Sequence, residues 1–251
     1  MIHDGSRAYD GGGSLYALTS EMPVSSSSKR ITHAASAKKK ATAASGGQAH
    51  SVRIIGGQWR GRRVRFPSVT DLRPTPDRVR ETLFNWLQGQ IADIRALDLF
   101  AGSGALGLEA LSRGASQVVF LERDRVAANA LKDTLGSFQS LRGQVIVGDA
   151  FYYLKQQPTP FGLVFLDPPF GMGRMAELCK LLEQSGWLTS DALIYIERSA
   201  NSDDAELPGN WNVLRNTRAG AVRASLLRRV QSTASESPSL LTGKISHEPE
   251  A

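Results

Sequence analysis

The sequence predicts an α/β protein: a doubly wound, mostly parallel sheet of seven strands with a small basic element on its N-terminal side. Three observations predict it. Apolar runs of strand length at 94–99, 117–121, 143–147, 161–166 and 192–197 alternate with stretches of helical period at about 105–113, 124–136, 150–156 and 173–185. That alternation is expected of parallel strands joined by helical crossovers. The first run ends in a glycine-rich turn that opens a helix, at the sheet edge where such folds bind ligands. Two further strand-like runs, Trp211–Arg218 and Ala221–Val230, have no helix between them. They are expected to pair as an antiparallel hairpin at one side of the sheet.

Taken in order, residues 1–51 are rich in Ser, Ala, Gly and Lys, with the runs Ser25–Ser28 and Lys38–Lys40 and no sustained apolar period. Such a segment cannot bury enough surface to order itself and is expected as a disordered basic tail, and so is the sparse stretch 232–251. The folded unit is placed at 52–231. Within it, 52–91 forms the basic N-terminal element and 92–231 the main domain. Val52–Ile55 and Arg63–Phe66 read as short strands around a glycine-rich turn. Pro76 opens an amphipathic helix to about Ile91, with Val79, Leu83, Phe84 and Leu87 on one face.

Composition narrows the chemistry. Of 251 residues 41% are apolar, yet no run approaches the roughly 20 residues that cross a bilayer, and no secretory signal opens the chain. A soluble, cytoplasmic protein is expected. The single cysteine, Cys179, excludes an internal disulfide or a cysteine-rich zinc cluster, and its mid-helix place suits an inert core thiol. His3, His33, His50 and His247 all fall in the two tails as drawn, so no histidine-centred catalysis and no metal is implied. Net charge is +6, unevenly spread: 53–90 holds eight arginines against three acids, whereas 91–230 balances fifteen cations with fifteen acids. A basic front on a neutral body suits a polyanionic partner such as nucleic acid, or simply a solvated arm.

Three acid-bearing strand ends carry the chemistry. The first is Asp98-Leu99-Phe100-Ala101-Gly102-Ser103-Gly104, followed by Ala105-Leu106-Gly107. Its glycines let the backbone approach a ligand, and the opening helix offers free N–H groups. The run formally satisfies the G-x-G-x-x-G dinucleotide fingerprint, and Glu122 follows where an acid holds ribose hydroxyls, so a nicotinamide dehydrogenase has to be weighed. Against it, Asp98 repels a pyrophosphate and welcomes an ammonium group, which S-adenosylmethionine offers without any phosphate. The second strand end is Gly148-Asp149-Ala150, beside Phe151. Asp149 there either accepts from an adenine amino group or simply caps a helix. The third is Asp167-Pro168-Pro169-Phe170. Two prolines stiffen the backbone so that the Asp167 carboxylate and the Pro168 carbonyl present two fixed acceptors, which suit an exocyclic amine. Holding both N–H groups turns the nitrogen lone pair out of the base plane, and Phe170 can stack on the base. The bland alternative is a strand terminator.

This order of motifs resembles a Rossmann-like class I S-adenosylmethionine-dependent N-methyltransferase. More narrowly, Arg53–Arg62, Leu72–Leu87 and Asp98–Gly114 closely resemble the bacterial RsmD family, over about Val52 to Val230. The resemblance implies methylation of the N2 amine of a guanine in 16S ribosomal RNA. The expected partner is that RNA in a small-subunit particle or assembly intermediate, and the expected state is a monomer. It also implies that S-adenosylmethionine is held by Asp98, Phe100, Gly102, Gly104, Glu122 (ribose), Asp149 (adenine) and Ala150, with Asp167, Pro168, Pro169 and Phe170 on the guanine. Arg53, Trp59, Arg60, Arg62, Arg63, Arg73, Arg78 and Arg80 are then expected to face RNA. Arg78 and Arg80 meet either its phosphates or the cofactor carboxylate, and Trp59 stacks on a base or packs on the domain. Where the family often has arginines after the tetrapeptide, this chain has Gly171-Met172-Gly173 before Arg174. Adenine-N6 methylation is the alternative within enzymes, since the same tetrapeptide serves that amine. Protein glutamine methylation fits the arginine-rich front poorly, and a non-catalytic RNA-binding protein would need a broken cofactor loop.

Overall fold

In the computed structural model, which describes residues 50–67, 75–169, 171–201 and 206–231, the chain opens with an antiparallel hairpin of β1 (His50–Arg53) and β2 (Arg63–Phe66). The two-residue strand period buries Val52, Val64 and Phe66 and turns Arg53, Arg63 and Arg65 outward. After α1 (Asp77–Trp86) the alternation runs β3 (Arg95–Asp98), α2 (Ala105–Ser112), β4 (Gln117–Glu122), α3 (Arg125–Ser137), β5 (Gly143–Val147), α4 (Ala150–Tyr153), β6 (Phe161–Leu166), α5 (Met175–Gln184) and β7 (Leu188–Ser199). It closes with β8 (Trp211–Ala219) and β9 (Val222–Arg229).

The seven strands β3 to β9 form one sheet in the order β5-β4-β3-β6-β7-β9-β8. The pairs β3–β4, β3–β6, β4–β5 and β6–β7 are parallel, and β9 pairs antiparallel with both β7 and β8. The final hairpin therefore sits at one side, as its missing crossover helix requires. Both faces are covered: α1, α2 and α3 pack one, with Ala96, Phe120, Phe165 and Tyr195, and α4 and α5 pack the other, with Leu97, Val119, Val164 and Ile194. Two buried faces are why the strands read as unbroken apolar runs rather than as alternation. Chain order reverses between β3 and β6, so their carboxyl ends diverge and leave a crevice.

Several boundaries differ from expectation for local reasons. The first strand stops at Arg53, because the N–H groups of Ile55 and Gly56 donate to the Glu109 carboxylate (both 2.7 Å) instead of across the hairpin. It also takes in His50, assigned above to the tail, which stacks on Phe66 at 5.8 Å. Helix α1 stops at Trp86, short of Ile91, and Gly89 turns the chain at φ +76°. Cys179 is fully buried on α5, and burial pushes its thiol up to about 12, where it stays protonated. Among the described residues no helix is long and apolar enough to cross a membrane, and no cluster of His, Cys, Asp or Glu has metal-site geometry. The expectations for the two tails, Arg73 and Phe170 lie outside the described residues.

Candidate active site

A cavity of about 610 Å³ opens at the carboxyl ends of β3, β4, β5 and β6, within the usual ~300–1,000 Å³ of small-molecule sites. Asp98, Phe100, Gly102, Glu122, Asp149, Ala150, Asp167, Pro168 and Pro169 all line it, so the three acid-bearing strand ends converge on one space. Gly104 sits just behind the wall at φ +75°, where a Cβ would also meet Leu131 at 2.5 Å. Gly107, the last glycine of the fingerprint, has a packing role: a Cβ there would strike the Phe120 ring at 2.3 Å, so it lets α2 lie close on β4.

Each acid is held differently. Asp98 is 2% exposed, and its Oδ2 accepts from the Gly107 N–H at 3.0 Å. Loss of water raises its pKa to about 7, against the pull of that N–H, and the nearby Asp167 and Glu122 raise it further. A buried carboxylate this reluctant to ionise suits a cationic ligand and opposes a pyrophosphate. Glu122 braces the glycine loop, accepting from Gly102 N–H (2.8 Å) through Oε2 and from Asp124 N–H (2.6 Å) through Oε1. Asp149 caps α4, its Oδ1 accepting from the N–H groups of Phe151 and Tyr152, and the residue also lines the cavity. Beside it, Gly171 and Met172 line the cavity, and the Arg174 guanidinium lies 3.6 Å over the Phe151 ring and pairs with Glu177.

Asp167 takes a hydrogen bond on Oδ2 from the Thr75 hydroxyl at 3.1 Å, and burial raises it to about 6. Thr75 itself was not singled out, although the family resemblance places its segment, Arg73–Glu81, near the active-site mouth.

The arginines divide. Arg53, Arg60, Arg63, Arg65 and Arg78 are exposed. Arg53 and Arg63 stand directly opposite across the hairpin, a like-charge pairing that costs stability in water. Two expectations are corrected. Arg80 is fully buried: its Nη2 donates to Asp77 (2.6 Å) and to the Arg53 carbonyl (3.0 Å), and its Nη1 lies 4.0 Å from Glu109. It reaches neither RNA nor a ligand in the cavity. Trp59 is 7% exposed, packed on Phe138 at 4.8 Å, with its backbone N–H donating to Ser112 Oγ. It fastens the hairpin rather than stacking on bases. Arg62 is exposed but its guanidinium lies 3.8 Å over Phe138 and donates to the Ser137 carbonyl, so its part is largely anchoring.

Comparison with known proteins agrees with this geometry. The model of a family described as "Conserved hypothetical protein 95" matches residues 52–228. Ribosomal RNA small subunit methyltransferase D of Escherichia coli K12 is 47% identical over 178 residues, 71% of this chain and 90% of that protein. The Haemophilus influenzae protein of the same name is 46% identical over 175 residues, covering 68% and 90%. The solved structure of the Escherichia coli protein yhhF matches with a TM-score of 0.68 at 45% identity, covering 72% of this chain and 99% of that one. With the same order of motifs converging on one cavity, the chain belongs to the RsmD family of class I S-adenosylmethionine-dependent methyltransferases.

Proposed function

We propose that the protein transfers a methyl group from S-adenosylmethionine to the exocyclic N2 amine of a guanine in 16S ribosomal RNA. It does so as a monomer, on a small-subunit particle or an assembly intermediate. The observation that carries this reading is the convergence of Asp98 and Asp167 on one cavity, the first suited to a cation and the second held at the rim as an acceptor. The residues fit the cofactor: Asp98 would take its ammonium, Glu122 its ribose and Asp149 its adenine, with Phe100 and Ala150 lining the same space. When bound, S-adenosylmethionine supplies an electrophilic methyl group on sulfur, which the amine nitrogen accepts as it gives up one N–H proton.

Asp167 uses Oδ2 for Thr75 and keeps Oδ1 to accept one N–H of the base, while the Pro168 carbonyl accepts the other. Both acceptors stabilise the positive charge that grows on nitrogen, where a fixed group avoids reorganisation at the moment of reaction. Asp167, with its pKa near 6, can also hold the released proton. The outward arginines of β1 and β2 bind RNA phosphate, and the opposed Arg53 and Arg63 gain most, since a polyanion relieves their repulsion. The sequence match to the two methyltransferases D supports the ribosomal substrate.

Nucleoside mass spectrometry of small-subunit rRNA from cells with and without the gene tests the reading. N2-methylguanosine should fall when the gene is removed and return with the wild-type gene but not with Asp167→Ala. Loss of N6-methyladenosine instead would move the substrate to adenine.

A further inference from the structure

The strand order β5-β4-β3-β6-β7-β9-β8 puts the cofactor acids on one side of Asp167 and leaves the end of β7, with β9 and β8 beyond it, on the other. Three arginines meet there. Arg198 of β7 stands directly opposite Arg223 of β9, and Arg223 directly opposite Arg218 of β8. Residues directly opposite across antiparallel strands share a face of the sheet, so the three side chains form one row. The face is that of α4 and α5, because Ile196, two residues before Arg198, packs there. Glu197, the acid between them, is buried on the other face beside Tyr195.

A cavity of about 560 Å³ opens along this row. The three arginines line it together with Asn216 and Ser225, which stand opposite each other in the next row of the same face. Among the described residues no acid lines it. Arg198 and Arg223 are half-buried and make further interactions within the chain. Arg218 is exposed at the open end, its Nη2 3.5 Å from Asn201 Oδ1. Guanidinium forks backed by a neutral amide and a hydroxyl are suited to phosphate oxygens. Like charges set directly opposite one another repel, and an anion between them offsets that repulsion.

Position connects the row to the reaction. Leu166 of β6 lies abreast of Ile196 of β7, so Asp167 and Arg198 leave the same edge of the sheet. Neighbouring strands lie about 5 Å apart, so the row runs from roughly 5 to roughly 15 Å beyond the strand that carries Asp167. A base drawn out to Asp167 leaves the backbone on either side of it to be held. We propose that Arg198, Arg223 and Arg218 bind backbone phosphates of the RNA strand flanking the target base, as a second RNA surface besides the β1–β2 hairpin. The hairpin packs on the α1–α3 face and the row opens on the α4–α5 face, so RNA touching both straddles the edge at which Asp167 stands. Phosphate contacts of this kind fix register and orientation and carry no sequence information themselves.

The inference rests on ribosomal RNA as the substrate, and the test separates the two. Binding to small-subunit particles from cells lacking the gene is titrated against KCl for wild type, Arg218→Ala, Arg218→Glu, Arg218→Lys and Arg215→Glu. Calorimetry gives S-adenosylmethionine affinity, and melting curves confirm the fold. Arg215 is also exposed on β8 but stands opposite Leu226, on the α1–α3 face, so Arg215→Glu makes the same change of net charge on the wrong side. Arg218→Ala should weaken binding several-fold at about 0.1 M salt and lower the salt slope by about one. Arg218→Glu should weaken it by roughly tenfold or more, whereas Arg218→Lys and Arg215→Glu stay near wild type. Cofactor affinity should hold in every variant. Wild-type affinity and slope in Arg218→Glu overturn the second surface, and so does an equal loss in Arg215→Glu, which would make the effect one of net charge. Saturable binding of inorganic phosphate that Arg218→Ala abolishes, with particle binding intact, would give the cavity to a small anion instead. A wild-type protein with no salt-dependent binding to the particles would overturn the ribosomal substrate itself.

Discussion

At the mouth of the β3 loop, the Asp98 carboxylate has lost its water and gained one backbone N–H, a poor exchange for a charge. Its pKa of about 7 makes cofactor binding a protonation measurement. A cationic ligand favours the ionised form and lowers that pKa, so binding near neutral pH releases a proton. Affinity for S-adenosylmethionine should rise with pH, by up to roughly tenfold per unit, until about pH 7 and then level off. Calorimetry in buffers of different ionisation enthalpy counts the proton, and Asp98→Asn should remove both the proton and the slope. Strong heat from NAD with none from S-adenosylmethionine would reverse the assignment. At the other end of the cavity Asp167→Ala should lower single-turnover methylation by roughly a hundred-fold or more, a loss on the order of 3 kcal/mol in the transition state, with cofactor affinity within a few fold. Asp167→Asn should retain more, because an amide oxygen still accepts.

The β1–β2 hairpin is the element whose function depends most on its fastening. Its turn is bolted to α2 by Glu109, which takes the N–H groups of Ile55 and Gly56, and by Ser112, which donates to the Gly56 carbonyl at 2.6 Å. Gly57, at φ +73°, passes so close to the Ser112 carbonyl that a Cβ would sit 1.9 Å from it. This rigid mount presents one basic face. Replacing Arg53, Arg63 and Arg65 together by Ala should weaken RNA binding and flatten its salt dependence by up to about two units of slope, leaving S-adenosylmethionine binding unchanged. An unaltered salt slope would place the RNA elsewhere. Arg80 behaves oppositely: Arg80→Ala empties a fully buried side-chain site and removes the donor to the Arg53 carbonyl, so it should cost about 3 kcal/mol of stability in denaturant titrations while the salt slope stays put.

For the whole molecule, the cavity has a cost in stability that pH reveals. Asp98, Asp167 and Glu197 hold protons in the folded state at about 7, 6 and 8, and revert to ordinary carboxylic acids on unfolding. Between those two sets of values the folded state binds more protons than the unfolded one. Stability therefore rises as pH falls from about 8 toward about 4, where the unfolded chain takes up the same protons and the gain is complete. Calorimetric melts of the ligand-free protein should show Tm increasing over that interval, with S-adenosylmethionine flattening the part due to Asp98. A Tm that drops steadily from pH 8 to pH 5 would contradict the buried, unpaired state of these acids.

Much of this was legible in the chain itself. A sheet buried on both faces writes its strands as apolar runs, a glycine at φ +75° must be glycine, and Asp167 with its two prolines declares a stiff acceptor without reference to any neighbour. The burial of Arg80 was also within reach of the sequence: it lies on the stripe of Phe84 and Leu87, whereas exposed Arg78 lies on the far side of the same helix. The anchoring of Trp59 needed the tertiary fold, since Ser112 and Phe138 are remote in sequence. So did the hydrogen bond from Thr75 to Asp167. Spacing along one segment encodes which residues share a face, but only the parallel register of β6 and β7, with the segment before α1 laid across their ends, sets buried Glu197 beside Asp167 and brings Thr75 to it.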